Sequence, residues 1–224
     1  MRALGDSVAD VRENAAYALG QRRAVEAVTP LGRLLATDPS PGVREVAAWS
    51  LAQIRATTGG PALAQAATTD ASGTVREMAV WGLGQLAQAS GVEPLTAALG
   101  DQDAQVRATA AWALGQIRPR PAPQALVDAI GDASGDVSAM AAWAAGQIGD
   151  PAAIPALTTA LASQDGDARE LAMWALGHMR GPEAQEALMG ATESPDPAIR
   201  RAAVRALAGG SRPWPWPWPR PMIR

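Results

Sequence analysis

Aromatic residues, amides and carboxylates recur along the chain at a nearly fixed interval. Within residues 1–210, five of the six aromatic residues are followed four positions later by an amide and the sixth by a histidine, and four of the six are preceded four positions earlier by a glutamate. Residues four apart lie on one face of a helix, so the three types would project together. The sets are Tyr17, Trp49, Trp81, Trp112, Trp143 and Trp174; Gln21, Gln53, Gln85, Gln116, Gln147 and His178; and Glu13, Glu45, Glu77 and Glu170.

Residue types that support catalysis are scarce by comparison. His178 is the single histidine and takes the place of a glutamine in the amide set. A metal site would need two or three histidines or carboxylates at helical spacing, and no such group occurs. The chain has no cysteine, and its recurring glycines do not form a phosphate-binding loop. We therefore expect no catalytic, metal-binding or cofactor-binding residues, no cofactor and no enzymatic activity.

Composition limits the partners further. The formal net charge of -3 argues against non-specific nucleic-acid binding, which needs a basic surface. No apolar run reaches the roughly 20 residues of a membrane span, and the first residues lack the apolar region of a signal peptide. Compartment stays undecided. A cytoplasmic location is the default expectation, and a periplasmic or extracellular one applies if the chain is released from a larger protein.

The elements that carry these sets are revealed by an internal repeat. Seven segments share one pattern. Each begins with valine or a similar residue, which is usually followed by arginine and then by alanines. The aromatic residue follows in six copies, and the segment ends in a sequence like Ala-Leu-Gly-Gln. Successive copies start 31 or 32 residues apart, and the starts are Val11, Val43, Val75, Val106, Val137, Ala168 and Ile199. Such a period is typical of stacked repeat architectures.

Each segment is predicted to form a helix, here named helix B. Counting its first residue as position 0, apolar residues fall at positions 0, 4, 5, 8 and usually 11, one stripe of a helix. Three residues before each start from the second copy onward lies an N-cap residue: Ser40, Ser72, Asp103, Ser134, Asp165 or Asp196.

A second helix, helix A, is predicted between successive B helices. Its main core contact is a leucine 20 residues after each start: Leu31, Leu63, Leu95, Leu126, Leu157 and Leu188. We expect helix A of the second copy to be shortened by the sequence Thr57-Thr58-Gly59-Gly60.

The pattern VRxxAAxALGxI over residues 3–208 resembles the HEAT-like repeats of the phycobilin-lyase type and the consensus binders engineered from them. The resemblance implies an all-α, right-handed α-solenoid of about seven helical-hairpin repeats, with B helices lining its concave side. It implies peptide or protein binding in the concave groove. It does not imply lyase activity, since many non-enzymes share the repeat.

Two interpretations of the aromatic residues remain open at this point. Position 6, which carries them, lies outside the apolar stripe, so the indoles would form an exposed row of the kind that marks interaction surfaces. Alternatively, each indole covers the neighbouring repeat and is part of the core packing. In the first interpretation the amides bind the backbone of an extended chain and the indoles hold its proline or arginine side chains.

A second periodic pair is interpreted as structural. Arginine occupies position 1 in six copies, and Asp6, Asp38, Asp70, Asp101 and Asp132 each lie five residues before a start. A cation in the first turn of a helix is disfavoured by the helix dipole and needs an acidic partner. We therefore predict an Asp–Arg ladder that links repeat to repeat.

The two ends of the repeat array are unusual. Ala3-Leu4-Gly5-Asp6 matches the end of a helix A, and no helix A follows the seventh B helix. Terminal repeats of solenoids normally have a polar outer face. We expect either a piece of a longer protein or open ends that meet another molecule.

The predicted domains are the repeat array over 1–210 and a separate Pro/Trp-rich tail over 211–224. Alternating prolines favour polyproline II, which would display Trp214, Trp216 and Trp218 with Arg212 and Arg220. Three roles are open for the tail: a ligand for an aromatic groove, including that of another copy; a membrane-surface anchor; or a disordered segment with no partner.

The predicted function is a non-enzymatic scaffold that binds a protein or an extended peptide on its concave Trp/Gln face. Self-assembly into filaments, head to tail through the open ends and the tail, is part of this hypothesis. The alternative is a regulatory or sensor domain cut from a larger bacterial membrane peptidase or kinase. A bilin lyase-like enzyme is a remote alternative.

Overall fold

The computed structural model describes residues 1–209, and within that range it contains thirteen α-helices, some short 3-10 helices and no strands. The predicted tail, including Trp214, Trp216, Trp218, Arg212 and Arg220, lies outside the described residues. None of the helices in residues 1–209 is long and apolar enough to cross a membrane.

All seven predicted B helices are present. They are the odd-numbered helices: α1 (Ala9–Gln21), α3 (Pro41–Ile54), α5 (Gly73–Leu86), α7 (Ala104–Ile117), α9 (Gly135–Ile148), α11 (Gly166–His178) and α13 (Pro197–Leu207). The N-cap prediction is confirmed by position for five of them. Fewer of these residues make a capping hydrogen bond with the side chain. Asp165 and Asp196 each accept a backbone N–H, whereas Ser40, Ser72 and Ser134 do not.

The six A helices are the even-numbered ones: α2 (Val28–Thr37), α4 (Gly60–Thr69), α6 (Val92–Ala98), α8 (Gln124–Asp128), α10 (Ile154–Ala160) and α12 (Pro182–Ala191). The prediction that the second copy has a shortened helix A is wrong, since α4 is as long as α2, at ten residues. The shortest is α8, which the prolines at 119, 121 and 123 confine to the residues after them.

Neighbouring helices pack as antiparallel hairpins that stack on one another. Helix B of one repeat packs on helix B of the next, as α1 does on α3 and α9 on α11, and A helices do the same. The predicted core leucines of the A helices are buried, with Leu31 at 0% and Leu188 at 4% exposure. The core between the layers is built from these leucines and from the alanines of the B helices, as the apolar stripes predict.

Residues 1–209 divide into two compact units. The first is Met1–Ala113, and the second begins at Leu114, inside α7. The first unit contains α1 to α6 and most of α7, and the second contains α8 to α13.

Candidate protein-binding face

The aromatic residues of the first unit lie on one side of the B helices but differ in exposure. Tyr17 is 42% exposed, and Trp49 and Trp112 are half-buried. Trp81 is only 5% exposed, so the expectation of an exposed row is wrong at that position. Position 6 lies outside the apolar stripe of its own helix, yet in the folded protein little of the Trp81 indole is exposed.

The tryptophans of the fourth, fifth and sixth repeats pack on glycines of the preceding repeat. A methyl group placed on Gly84 would lie 2.6 Å from Cζ3 of Trp112, and one on Gly146 would lie 2.7 Å from Cζ3 of Trp174. Gly115 has the same relation to Trp143. The benzo edge of each indole therefore packs directly on the glycine at position 9 of the repeat before it. Both interpretations of the indoles are satisfied in part, because these three tryptophans pack and are still only half-buried.

Aromatic stacking continues the row at the first repeats. The rings of Tyr17 and Trp49 are stacked, with centroids 5.0 Å apart and an interplanar angle of 15°. Gln21 Nε2 donates to the Tyr17 hydroxyl oxygen at 2.7 Å. In the first repeat, Gln21 thus binds Tyr17, and Tyr17 stacks on Trp49 of the second repeat.

The following amides are available for a ligand. Gln53 and Gln85 are half-buried, and neither side chain has a hydrogen-bond partner within residues 1–209. Each lies one helical turn beyond its tryptophan on the same helix. An amide that offers one acceptor and two donors beside an aromatic surface suits the N–H and C=O groups of an extended chain.

The glutamates form the third row of the first unit. Glu45 and Glu77 are half-buried, and burial raises the pKa of each carboxyl above its ordinary value. Neighbouring charges add to the effect, since Glu13 lies near Glu45, and Asp103 and Glu45 lie near Glu77. Neither glutamate has a cation within salt-bridge distance among the described residues. The row is therefore a site of negative charge that a cationic group would relieve.

The acidic row ends after the third repeat. The position of the glutamates is occupied in the fourth and fifth copies by Ala108, which is 0% exposed, and by Ala139, which is 6% exposed. The small side chains at these positions are enclosed by their surroundings. The negative charge of the face is consequently concentrated on α1, α3 and α5.

The aromatic and amide rows of the second unit are shorter and end in a histidine. Trp143 is half-buried, Gln147 is half-buried, and His178 is exposed. The Arg118 side chain donates to the Gln147 amide oxygen. The Trp174 and His178 rings are stacked, with centroids 4.2 Å apart. The indole N–H of Trp174 has no acceptor in the described part of the chain.

The predicted Asp–Arg ladder is confirmed in the first unit. Arg12 donates from Nε and Nη2 to the two carboxylate oxygens of Asp38, at 2.7 and 2.8 Å. Arg44 binds Asp70 and Arg76 binds Asp101 with the same atoms and the same distances. These hydrogen bonds hold the pKa of Asp38 and of Asp101 below its ordinary value.

The same arginines are anchored from behind by their own loops. Nη1 of Arg12 donates to the carbonyl oxygens of Asp6 and Ser7, and Nη1 of Arg44 donates to those of Asp38 and Pro39. Each guanidinium therefore connects the loop before its own helix to the loop before the next one. Residue spacing contains no direct signal for this backbone anchoring.

The ladder changes in the second unit. Ser138 replaces the arginine of the fifth copy, and its buried hydroxyl donates to the Ile130 carbonyl oxygen at 2.6 Å. The matching aspartate of the sixth copy is also absent, because Ser163 takes its place. Arg169 retains the loop anchoring, to the Ser163 and Gln164 carbonyl oxygens. Arginine and aspartate are thus both absent from the pair 138/163, whereas Arg169 remains although Ser194 takes the place of its aspartate.

No group of three histidines or carboxylates within residues 1–209 is arranged to hold a metal ion.

Comparison with known families agrees with this architecture. A family model described as HEAT repeats matches residues 1–84, 60–139, 92–172 and 157–209. The chain is a HEAT-repeat protein. Its fold is therefore an all-α solenoid of HEAT-type helical hairpins, with about seven B helices in the described residues. No curated protein matches the chain significantly in sequence.

Solved structures of similar fold include natural and designed repeat proteins. The complex of CpcE and CpcF of phycocyanin lyase from Nostoc sp. PCC7120 has 24% identity and a TM-score of 0.58, over 79% of this chain and 74% of that one. An engineered protein has 24% identity and a TM-score of 0.63, over 94% and 67%. A designed armadillo repeat protein, solved in complex with the peptide (KR)4, has 22% identity and a TM-score of 0.57, over 93% and 97%. At these identities the likeness concerns the fold.

Proposed function

We propose that this HEAT-repeat protein is a non-enzymatic scaffold that binds an extended segment of a partner protein on its Trp/Gln face. The Trp/Gln face consists of the aromatic and amide residues of α1, α3 and α5 in the first unit, together with Glu45 and Glu77. The observation that carries the proposal is the placement of the Gln53 and Gln85 amides, which lack partners among the described residues, one turn beyond Trp49 and Trp81, of which Trp49 is half-buried.

The repeat gives the face the geometry for an extended chain. Packed helices lie about 8–10 Å apart, and three residues of polyproline II span about 9 Å. One aromatic and one amide side chain would therefore meet every third residue of such a ligand. A folded globular partner would not match a fixed interval of this kind as regularly.

The charge of the face favours a ligand with arginine or lysine side chains. Glu45 and Glu77 have raised pKa values, primarily because they are buried, and the described residues place no cation against them. A guanidinium between them would offset that cost and would also stack on the adjacent indoles. The designed armadillo repeat protein of similar fold was solved with the basic peptide (KR)4, which is consistent with this choice.

The test is a titration of the full chain into labelled (PR)4, a peptide that combines polyproline II with arginine. We expect saturable binding, and we expect Gln53→Ala and Glu77→Gln each to weaken it at least about threefold. The peptide (PE)4 has the same backbone preference and the opposite charge, so it is the matched ligand control and should bind far more weakly.

Met189→Ala is the protein control, because Met189 is 58% exposed on α12, an A helix. It should bind (PR)4 like the unchanged chain. Equal binding of (PR)4 and (PE)4, or undiminished binding by both face variants, would contradict the proposal.

Self-association through the ends of the array is a second candidate function. The observation that favours it is the exposure of apolar residues in the terminal B helices. Val11 of α1 is 40% exposed and Val204 of α13 is 57% exposed, whereas Val43 and Val80 at the same two positions are both at 0%. The proposal for residues 211–224 as a ligand of another copy's Trp/Gln face concerns residues outside the described range and is tested by adding that peptide to the same titration.

A further inference from the structure

Two contacts recur between successive B helices, and the first of them is seen in the first unit. Arginine at position 1 binds the aspartate five residues before the next start, as Arg44 binds Asp70. Small residues at positions 5 and 9 meet a small residue at position 7 of the next helix. Ser50 Oγ donates to the Ala16 carbonyl oxygen at 2.8 Å, and a methyl group on Gly146 would lie 2.9 Å from Cβ of Ala175.

Within residues 1–209, helix α13 presents the first half of these contacts and no further B helix follows it. Nη1 of Arg200 donates to the carbonyl oxygens of Ser194 and Pro195 at 2.6 and 2.9 Å, which is the loop anchoring of Arg12 and Arg44. Its Nε and Nη2 have no partner within residues 1–209. Val204 at position 5 and Ala208 at position 9 are exposed. The Nη1 bonds of Arg200 are those that Arg12 and Arg44 make where a carboxylate binds Nε and Nη2. Arg169 makes the same bonds although Ser194 takes the place of its aspartate.

The N-terminal repeat presents the other half. Asp6 Oδ1 accepts the backbone N–H of Val8 at 2.9 Å, just as Asp38 Oδ1 accepts that of Ser40 at 2.9 Å. No arginine lies within salt-bridge distance of Asp6 among the described residues. Ala18, at position 7 of α1, is exposed, whereas Ser50 at the same position of α3 is 0% exposed.

We infer that the face of α13 docks on the face of α1 of a second copy of this chain, with Arg200 bound bidentately by Asp6 of that copy. Val204 and Ala208 then cover Ala18 of the second copy, in the register that the internal repeats use. The inference rests on the self-association proposed above and names the residues that make the contact.

A second copy fits both faces better than an unrelated partner does. The two faces are complementary in charge, in apolar surface and in the small size of the residues at positions 5, 7 and 9. They also follow the register of an interface that the protein already uses between its own repeats. Because the two faces differ, the contact is heterologous, so it generates rings or open filaments rather than a closed dimer.

The experiment is light-scattering mass of the full chain over a range of concentrations, for the unchanged protein and for Arg200→Asp and Asp6→Arg. We expect concentration-dependent association of the unchanged protein and at least tenfold weaker association of each variant, because like charges then face each other. An equimolar mixture of the two variants should regain association, since Arg200 of one variant can bind Asp6 of the other.

The matched control is Arg201→Asp, which makes the same charge change at an exposed neighbouring residue and should associate like the unchanged chain. Association that persists in both single variants overturns this contact and leaves self-association standing. A mass that stays monomeric at every concentration overturns both. Failure of the mixture to recover association, with each variant folded by circular dichroism, also overturns the contact. Binding of (PR)4 to the Trp/Gln face is measured separately and does not depend on any of these results.

Discussion

Arg44 donates from Nε and Nη2 to both carboxylate oxygens of Asp70, 26 residues further along the chain, at 2.7 and 2.8 Å. The aspartate also accepts the backbone N–H of Ser72 at 2.9 Å, so it orders the loop that starts the next helix B. A cation that would be unfavourable in the first turn of a helix is thereby converted into the link between adjacent repeats. Because a solenoid repeat contacts only its neighbours, such links contribute directly to its cooperativity.

We expect Asp70→Asn to reduce the free energy of unfolding by about 1.5–3 kcal/mol, the usual contribution of a hydrogen bond to a charged group. The substitution keeps an acceptor for Ser72 but leaves the Arg44 guanidinium without its carboxylate. Urea unfolding followed by circular dichroism measures the change. Glu26→Gln, at an exposed position, is the control and should change the free energy by less than about 0.5 kcal/mol. Equal effects of the two substitutions would contradict the structural role of the ladder.

Glu45 and Glu77, which are half-buried, reduce stability, and the size of this effect depends on pH. The pKa of Glu77 is raised in the folded protein, primarily by burial, so the folded state binds its proton more tightly than the unfolded chain does. Stability therefore falls as the pH rises from the pKa of a glutamate in the unfolded chain, about 4.3, through the pKa of Glu77 in the folded protein. We expect Glu77→Gln to stabilise the protein at pH 7 and to have little effect at pH 3, where the carboxyl is protonated in both states.

Glu170→Gln is the matched control for this prediction, since Glu170 occupies the same position of the sixth copy and is exposed. It should show no comparable difference between pH 7 and pH 3 in thermal unfolding. The Asp38 carboxyl has the opposite sign, because its pKa is lowered by Arg12. Its contribution to stability is present above the pKa of an aspartate in the unfolded chain and is lost as the pH falls through the pKa of Asp38 in the folded protein.

The glycine beneath Trp112 provides a prediction about close packing. A methyl group on Gly84 would lie 2.6 Å from Trp112 Cζ3 and 2.8 Å from Ala113 Cβ, so neighbouring helices must move apart. We expect Gly84→Ala to destabilise the protein by about 1–3 kcal/mol, despite the better helix propensity of alanine. Gly190→Ala is the control, because no atom lies within 4 Å of a methyl group there and the substitution should stabilise by about 0.5–1 kcal/mol. Thermal unfolding of both variants decides the point. A stabilised Gly84→Ala variant would mean that Trp112 does not pack on this glycine.

The repeat order, the B helices and the Asp–Arg ladder could be predicted because they depend on spacing within one chain segment and on a pairing that recurs. Leu31 and its equivalents repeat at a constant offset, and Asp38 has an arginine of the same period to pair with. The shortening of α8 could also have been found, because its cause is a run of prolines. The Gly-Gly sequence at the start of α4 misled, since Gly59 is the N-cap residue and Gly60 is the first residue of the helix.

The exposure of the aromatic row could not be predicted from helical period alone. Periodicity gives the direction of Trp81 relative to its own helix, but its burial is decided by atoms of adjacent repeats. One signal was present in the sequence, because a glycine or alanine at position 9 leaves room for a large side chain of the next repeat. The raised pKa values of Glu45 and Glu77 depend on the same inter-repeat distances, which a single sequence does not contain.

One pair of the ladder has serine at both of its positions, Ser138 in place of the arginine and Ser163 in place of the aspartate. This pair allows the most direct test of the ladder. Position 138 corresponds to Arg44 and position 163 to Asp70, and both lie in the second unit. Ser163 Oγ already accepts the backbone N–H of Asp165, the bond that Asp70 makes with Ser72, so an aspartate there has its loop in place.

We expect Ser138→Arg alone to destabilise by about 1–3 kcal/mol, because it removes the buried hydroxyl that binds the Ile130 carbonyl and adds a cation without a carboxylate. Ser163→Asp alone should have an effect within about 0.5 kcal/mol, since Ser163 is partly exposed. In the double variant the new pair should recover stability, with a coupling energy of about 0.5–3 kcal/mol in a double-mutant cycle measured by urea unfolding. A strictly additive cycle would mean that the arginine and aspartate positions do not form a transferable link. A positive coupling would show that two side chains per repeat suffice to connect one hairpin to the next, independently of the packing that surrounds them.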